Sequence, residues 1–295
     1  MPENPRVLNL GMNGILSKSQ LAGTEEIFGM RQHARSPETL GFSPGSGSFD
    51  LNYLSIPNKI VEEMKVLLFD YLGVALGGTR TESGRIAAQF SKKLREKGEA
   101  TIIGFGYRVS APSAAFSNAI LSHSIELDDV DSLAYFHFSP PIFSAALAIA
   151  EKKHASGKEL IVALAAGCDV MARLSSALNP SHRDKGFHTT AACGIFGAAA
   201  AAKLLGLDLN GIVSTLGLAG AQASGLMEFY GTSMQKRFNP GPAARGGVVS
   251  AILASMGFTG AETILEGDRG FLRAYSDRVD QKKLCLLYTS DAADE

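Results

Sequence analysis

The stretch that decides the fold is SIPNKIVEEMKVLLFDYLGVALGG, residues 55–78. Its apolar residues recur every three or four positions, which is the spacing of one face of an α-helix: Ile60, Met64, Leu67, Tyr71 and Val74. Ser55 or Asn58 can cap the start of this helix, and the pair Gly77-Gly78 predicts its end. The stretch therefore predicts a helix with one buried face.

Similar segments follow along the chain. Residues 83–96 predict a second helix with Ile86, Phe90 and Leu94 turned inward, and residues 101–110 hold the one strand-like piece. Further helices are predicted in four segments that are apolar nearly all round, as helices inside a multilayer helical domain are: residues 158–178, 189–206, 209–226 and 242–257. We therefore predict an all-α fold. The 32 glycines and many alanines predict tightly packed helices.

The composition narrows the class of protein. A hydrophobic content of 45% and a charged content of 19% are typical of a soluble globular protein. The net charge of −1 gives no indication of a nucleic-acid partner or a membrane surface. The three cysteines have no metal-like spacing, and no signal peptide is evident, so we predict a cytoplasmic protein.

The two ends of the chain differ from its middle. Residues 1–50 are rich in Gly, Ser and Pro without a period, which predicts a poorly ordered leader. Residues 51–283 are predicted to form the helical domain. Residues 284–295 end in LLYTSDAADE, which resembles translated sequencing-adapter read-through, and we exclude them from the fold prediction. On this interpretation the natural reading frame continues past Lys283.

An acidic segment, SHSIELDDVDSLAYFHFSPP at residues 122–141, is the first candidate for chemistry. It places Glu126, Asp128, Asp129 and Asp131 within six positions, with His137 close behind. A solvated turn, a metal site or a proton-handling site can each hold so many carboxylates. The segment lacks the glycine and terminal glutamate of a calcium-binding loop, and no His-x-x-x-His pair lies nearby. We predict no metal, and we expect the carboxylates to orient a neighbouring histidine and lysine.

Two more polar segments lie at helix ends, where side chains can converge on one pocket. Residues 179–194 contain Arg183 and His188, and residues 225–247 contain Lys236, Arg237 and Asn239. The cations suit a carboxylate or phosphate ligand. For each residue taken alone, a solvated loop or a hydrogen-bonded core histidine remains the alternative.

Five pieces of sequence, in order, resemble the MmgE/PrpD family, which includes 2-methylcitrate dehydratase, cis-aconitate decarboxylase and an iminodisuccinate epimerase. They lie within about residues 51–278: KVLLFDYLGVALGG, SHSIELDDVD, GFHTTAACGIFGAAAAAKLLGLD, the segment from GLMEFYGTS to TILEG, and GFLRAYSD. The resemblance implies an N-terminal helical domain, a following α+β lid domain that is missing from this chain, a homodimer, and no cofactor.

The resemblance also implies site residues. The family's Asp-Phe-Asp-Asp-Thr motif corresponds to Glu126, Leu127, Asp128, Asp129 and Val130. His137, His188 and Lys236 stand where the family has an active-site histidine, the histidine of Gly-Phe-His, and a lysine. Three departures suggest a different substrate or reaction subtype: Glu126 lengthens a carboxylate arm, Val130 lacks a hydroxyl, and Asn239 replaces a frequent histidine.

The resemblance implies a lyase that acts on a small di- or tricarboxylate. Lys236, helped by Arg237 or Arg183, would bind a substrate carboxylate, with Asn239 and Asp129 as further substrate-binding residues. His188 or His137 would move the proton, and Glu126 and Asp128 would orient the histidine and Lys236. We expect a 2-methylcitrate dehydratase-like reaction, with decarboxylation or epimerisation as alternatives. A non-catalytic helical dimer is the rival from another class.

Overall fold

The structure is a computed structural model that describes residues 52–132, 134–229 and 233–285. The predicted leader at residues 1–50 lies outside the described residues, as do residues 286–295 of the predicted read-through segment. The prediction of an all-α fold is confirmed, because the described elements are helices apart from one short pair of strands.

The first half of the described chain holds most of the long helices and the strands. In chain order the elements are α1 (Asn58–Gly78), α2 (Glu82–Lys93), β1 (Ala100–Thr101), β2 (Arg108–Val109), α3 (Ala111–His123), α4 (Ser139–Lys153) and α5 (Gly157–Leu178). β1 and β2 pair antiparallel, with Ala100 opposite Val109. Ser110 caps α3, because its side chain accepts a hydrogen bond from the backbone N–H of Ser113.

The second half alternates short and long helices. The elements are α6 (Ser181–Asp184), α7 (Thr189–Ala192), α8 (Gly194–Ala199), a 3₁₀ helix (Ala200–Leu205), α9 (Leu209–Gly220), α10 (Gln235–Phe238), α11 (Pro240–Ser255), α12 (Phe271–Tyr275) and α13 (Gln281–Cys285). The single helix predicted for residues 189–206 is therefore broken into three pieces. Glycine has a low helix propensity, and Gly194 lies at the break, where a Cβ would stand 2.7 Å from Pro141 Cγ.

The face predicted for α1 is buried: Ile60, Met64, Leu67, Tyr71 and Val74 are each less than a tenth exposed. The predicted side-chain cap is wrong. The residue before α1 is Pro57, and no side chain caps the helix. The Ser55 hydroxyl instead donates to the Asn52 carbonyl in a local turn.

The face predicted for α2 is also wrong. Ile86 and Phe90 are 52% and 45% exposed, and the buried face consists of small residues: Gly84, Ala87, Ala88 and Ser91. Small side chains let α2 approach α3, and the Ser91 and Ser117 hydroxyls lie 2.8 Å apart between them. Close approach of the backbones decided which face is buried, because larger side chains could not fit there.

Close helix contacts also build the centre of the domain. α11 packs against α3, α4, α8 and α9. A Cβ at Gly247 of α11 would lie 2.5 Å from the Ala198 Cβ of α8, so only glycine fits there. α5 is long and apolar enough to cross a bilayer by length and composition, but 83% of its most apolar window is buried inside the protein, as in a core helix.

Candidate active site

One pocket, of about 540 Å³, lies where several helix ends meet. Six of the predicted site residues line it, although they come from three separate polar segments: Glu126, His137, Arg183, His188, Lys236 and Arg237. A volume of this size suits a small organic ligand. The structure thus brings the three segments together as the sequence predicted.

His137 is held from behind by two oxygens. Its Nδ1 lies 2.7 Å from the Asp129 carbonyl oxygen and 3.1 Å from Asp128 Oδ2. A carbonyl oxygen only accepts, so Nδ1 carries the proton and Nε2 is the nitrogen left for the pocket. Burial lowers the pKa of His137, but the hydrogen bond and charge of Asp128, with the charge of Asp129, outweigh it and leave this pKa raised.

Asp128 is buried behind His137 and does not line the pocket. Burial raises the pKa of its carboxyl, but the nearby His123 and His137 outweigh burial and lower this pKa well below its usual range. His123 lies at the end of α3 and is fully buried, with its Nδ1 2.7 Å from Asp128 Oδ2. His123 is not among the site residues predicted from the sequence. The available signal was a histidine in the same SHSIELDD motif, five residues before Asp128.

Asp129 has a different role from the predicted contact with substrate. Its two carboxylate oxygens accept the backbone N–H groups of Phe138, at 2.8 Å, and Ser139, at 3.1 Å. These donors lie at the start of α4, so Asp129 caps that helix and does not line the pocket. Burial and the charge of Asp128 raise the pKa of Asp129.

His188 stands just before α7 and is almost fully buried. The Asn239 amide nitrogen lies 3.2 Å from His188 Nδ1 and also donates to the Leu226 carbonyl. An amide nitrogen only donates, so His188 Nδ1 is unprotonated and the neutral ring carries its proton on Nε2. Burial, followed by the charges of His123, His137, Lys236 and Arg183, lowers the pKa of His188 well below its usual range.

Asn239 therefore fixes the tautomer of His188. It is 6% exposed and does not line the pocket, so the predicted contact with substrate is replaced by a contact with the histidine. His188 precedes α7 without a side-chain cap.

Lys236 and Arg237 supply positive charge from α10. The Lys236 ammonium pairs with Glu126 Oε2, and Arg237 Nε lies 3.6 Å from Glu126 Oε1. Glu126 has a φ of 57°, a left-handed backbone conformation that is uncommon outside glycine. That conformation aims its carboxylate at both cations, so an internal anion occupies the cationic side of the pocket.

Arg183 approaches the pocket from α6. Its guanidinium carbon lies 4.6 Å from the ring centroid of Tyr135, within the range of a cation–π contact. Tyr135 also lines the pocket and has a φ of 58°. A third cation therefore stands near Lys236 and Arg237.

One group of side chains has the composition of a metal site. His123, Asp128 and His137 offer ligand atoms that lie within 4.8 Å of one another. Both histidine Nδ1 atoms already face the same Asp128 oxygen. A divalent cation would have to displace both protons to bind there, and protons account for the observed contacts.

A comparison with known families finds one family model that spans the helical domain and the motifs of the pocket. The model of the MmgE/PrpD N-terminal domain matches residues 49–283. The chain belongs to the MmgE/PrpD family. The match includes all of the pocket residues described above.

Curated relatives carry one activity in their names. Cis-aconitate decarboxylase of Aspergillus terreus is 32% identical over 229 residues, which cover 75% of this chain and 47% of that protein. Cis-aconitate decarboxylases of Homo sapiens and Mus musculus are each 31% identical, over 75% and 74% of this chain and 47% and 46% of those proteins. The chain therefore spans about half the length of the curated relatives it matches.

Proposed function

We propose that the protein is a lyase that acts on a small di- or tricarboxylate without a cofactor, and that the reaction is decarboxylation of a cis-aconitate-like acid. The observation that carries this proposal is that the pocket combines a group of cations with a histidine that can hold a proton. Lys236, Arg237 and Arg183 supply positive charge, and His137 presents a protonatable nitrogen whose pKa is raised. The positive charge suits the binding of a polycarboxylate anion, and the proton on His137 is needed to neutralise a carbanion intermediate.

The proposed reaction begins with binding. The substrate carboxylates pair with Lys236 and Arg237, where they replace Glu126, and with Arg183. The bond to one carboxylate carbon then breaks, CO₂ leaves, and its electron pair remains on the substrate carbon. The nearby cations stabilise this negative charge. His137 gives the proton on Nε2 to that carbon and later regains one from water.

His188 serves the same reaction as a neutral hydrogen-bond donor. Asn239 occupies its Nδ1, which directs the remaining N–H at Nε2 toward a ligand oxygen. Because the pKa of His188 is lowered, it is a weak proton acceptor. Of the two histidines predicted from the sequence, His137 is therefore the better candidate for moving the proton.

Dehydration was the first expectation from the sequence, and epimerisation an alternative. Both begin when a base removes a proton from carbon, and a raised pKa favours the cationic, proton-donating form of His137 instead. The names of the relatives also favour decarboxylation. We therefore place 2-methylcitrate dehydration second.

A homodimer belongs to the same proposal. Large apolar side chains lie exposed along one face of α1, with Val66 at 61%, Phe69 at 81% and Leu76 at 52% exposure. A second copy of the chain could cover this face. The rival function, a helical dimer without catalysis, would use this face alone and leave the pocket without a role.

The test is incubation of the purified chain with cis-aconitate, 2-methylcitrate and citrate. CO₂ release and carbon–deuterium incorporation from D₂O are followed together. We expect CO₂ release from cis-aconitate, and loss of at least about 10²-fold in the Lys236→Ala variant. Water loss from 2-methylcitrate without CO₂ release would favour the dehydratase. Turnover and binding both absent for every acid would support the non-catalytic dimer.

A further inference from the structure

The feature behind the pocket that the proposed mechanism does not use is His123. Its ring is completely buried at the end of α3, and its Nδ1 lies 2.7 Å from Asp128 Oδ2. The same carboxylate oxygen lies 3.1 Å from His137 Nδ1. The two imidazole rings meet edge to face, with centroids 4.8 Å apart. One buried carboxylate oxygen thus stands between two histidines.

The hydrogen bonds in this group have a defined direction. His137 Nδ1 donates, because it also contacts the Asp129 carbonyl, which can only accept. His123 Nδ1 faces the Asp128 carboxylate, which accepts, so His123 donates as well. Among the described residues, the other carboxylate oxygen, Asp128 Oδ1, has no hydrogen-bond partner. The two imidazole N–H groups therefore set the orientation of Asp128.

We propose that His123 is a positioning residue that fixes the Asp128 carboxylate, so that His137 is held with Nδ1 protonated and Nε2 available to the pocket. The proposal rests on the proposed function, in which His137 moves the proton. His123 itself does not line the pocket and touches no reacting atom in this mechanism. It acts through Asp128, in the way that outer hydrogen bonds orient catalytic groups elsewhere.

The pH dependence of His137 depends on every charged group around it. Asp128 and Asp129 lie on its own loop and act on it directly, and Asp70 of α1 lies near the same two carboxylates. The groups on other packed elements near the pocket are His123 of α3, Arg183 of α6, His188 before α7, and Lys236 of α10 with its partner Glu126. His123 is the only one of the packed groups that contacts the same Asp128 oxygen as His137. Without the His123 N–H, the charge of Asp128 would act on His137 alone.

The experiment compares His123→Leu with His123→Asn. Leucine removes the donor, whereas the asparagine amide keeps an N–H near the position of Nδ1. The titration midpoint of His137 is measured by NMR on chain labelled with ¹⁵N-histidine, and the pH profile of kcat/KM is measured alongside. We expect His123→Leu to raise the midpoint by about one pH unit and to lower kcat by about tenfold or more, with KM little changed. We expect His123→Asn to restore both.

His182→Asn is the matched control. His182 is the other completely buried histidine in the described chain with an unpartnered Nε2, but its Nδ1 contacts the Tyr275 carbonyl and no carboxylate. This variant should leave the His137 midpoint unchanged. If His123→Leu does not fold, His123→Gln takes its place. The glutamine amide reaches the position of Nε2 and not that of Nδ1, so this variant also lacks the donor to Asp128.

Two results would overturn the positioning role: an identical His137 midpoint in the wild type and the donor-less variant, or equal shifts with asparagine and glutamine. The NMR midpoint needs no turnover. A shifted midpoint in a chain that turns over no carboxylate would reject the lyase and keep the positioning of His137. An unshifted midpoint in an active enzyme would reject the positioning alone.

Discussion

Two buried histidines on neighbouring parts of the molecule behave in opposite ways. His182 lies among aromatic rings, stacked on Phe187 at 5.2 Å, and burial lowers its pKa from 6.5 to about 4 despite the Tyr275 carbonyl. His137 is also largely buried, but Asp128 and Asp129 more than offset burial and raise its pKa. The neighbouring carboxylates, and not burial, decide which histidine can hold a proton.

The surroundings of the two histidines also differ in what they do: those of His182 hold helices together, whereas those of His137 border the pocket. The aromatic group around His182 fastens α6 to α12, through Phe271 and Tyr275. His137 faces the pocket, with the carboxylates of Asp128 and Asp129 buried behind it. A neutral histidine suits a packed interior, whereas a cationic one suits a ligand of several carboxylates.

The largest expected effect comes from replacing His137, one of the two histidines that line the pocket. His137→Gln should lower kcat for the decarboxylated substrate by about 10²–10⁴-fold, because the proton donor is lost. Steady-state kinetics with each candidate acid would measure it. His182→Gln is the control and should keep the rate within a few-fold. Equal losses in both variants would show that the contrast between the two regions has no catalytic meaning.

The next effect concerns the free energy of unfolding and tests the lowered pKa of His182. The pKa of His182 is near its ordinary value when unfolded and about 4 when folded, so the unfolded chain binds the proton more readily between these values. Its contribution to the free energy of unfolding is complete above about pH 6.5 and falls toward pH 4, by on the order of 3 kcal/mol.

His182→Asn keeps a donor for the Tyr275 carbonyl but cannot titrate. The gap in the free energy of unfolding between wild type and variant should therefore narrow as the pH falls from about 7.5 to about 4.5. Urea denaturation followed by circular dichroism would measure this gap. A gap that is constant across the pH range would contradict the lowered pKa of His182.

A smaller effect is expected at Asp128, the buried carboxylate behind His137. Asp128→Asn removes the charge that raises the pKa of His137, so His137 should lose its proton at a pH lower by about one unit. Because the proposed mechanism uses protonated His137, the alkaline fall of kcat/KM should move down by the same amount. Asp277→Asn, an exposed carboxylate that pairs with Lys185, should leave the profile in place.

The smallest effect is expected at Glu126. Glu126→Gln frees Lys236 and Arg237 from a competing carboxylate, and KM should fall by about two- to fivefold, since partly exposed ion pairs such as these are worth at most about 1 kcal/mol. Glu62→Gln breaks a comparable pair with Lys65 on α1 and should not alter KM. A raised KM in Glu126→Gln would instead show that Glu126 holds Lys236 in place for the substrate.

Much of the fold was readable from the sequence because helical periodicity is local. The buried face of α1 followed from residue spacing alone. The face of α2 did not, because its exposed side chains, Ile86 and Phe90, are more apolar than its buried ones. Contact with α3 selected Gly84 and the alanines for their small size, and that contact lies outside the α2 sequence.

The sequence by itself determined the helical class and the family resemblance, and it named nine candidate site residues. These follow from local spacing and from motifs whose order is fixed along the chain. Only the tertiary structure showed which six of the nine line the pocket and what the other polar side chains contact. It placed His123 behind Asp128, turned Asp129 to the start of α4, and set Asn239 against His188. A protonation state depends on which charges and hydrogen bonds surround a group in space, and those neighbours come from distant parts of the chain.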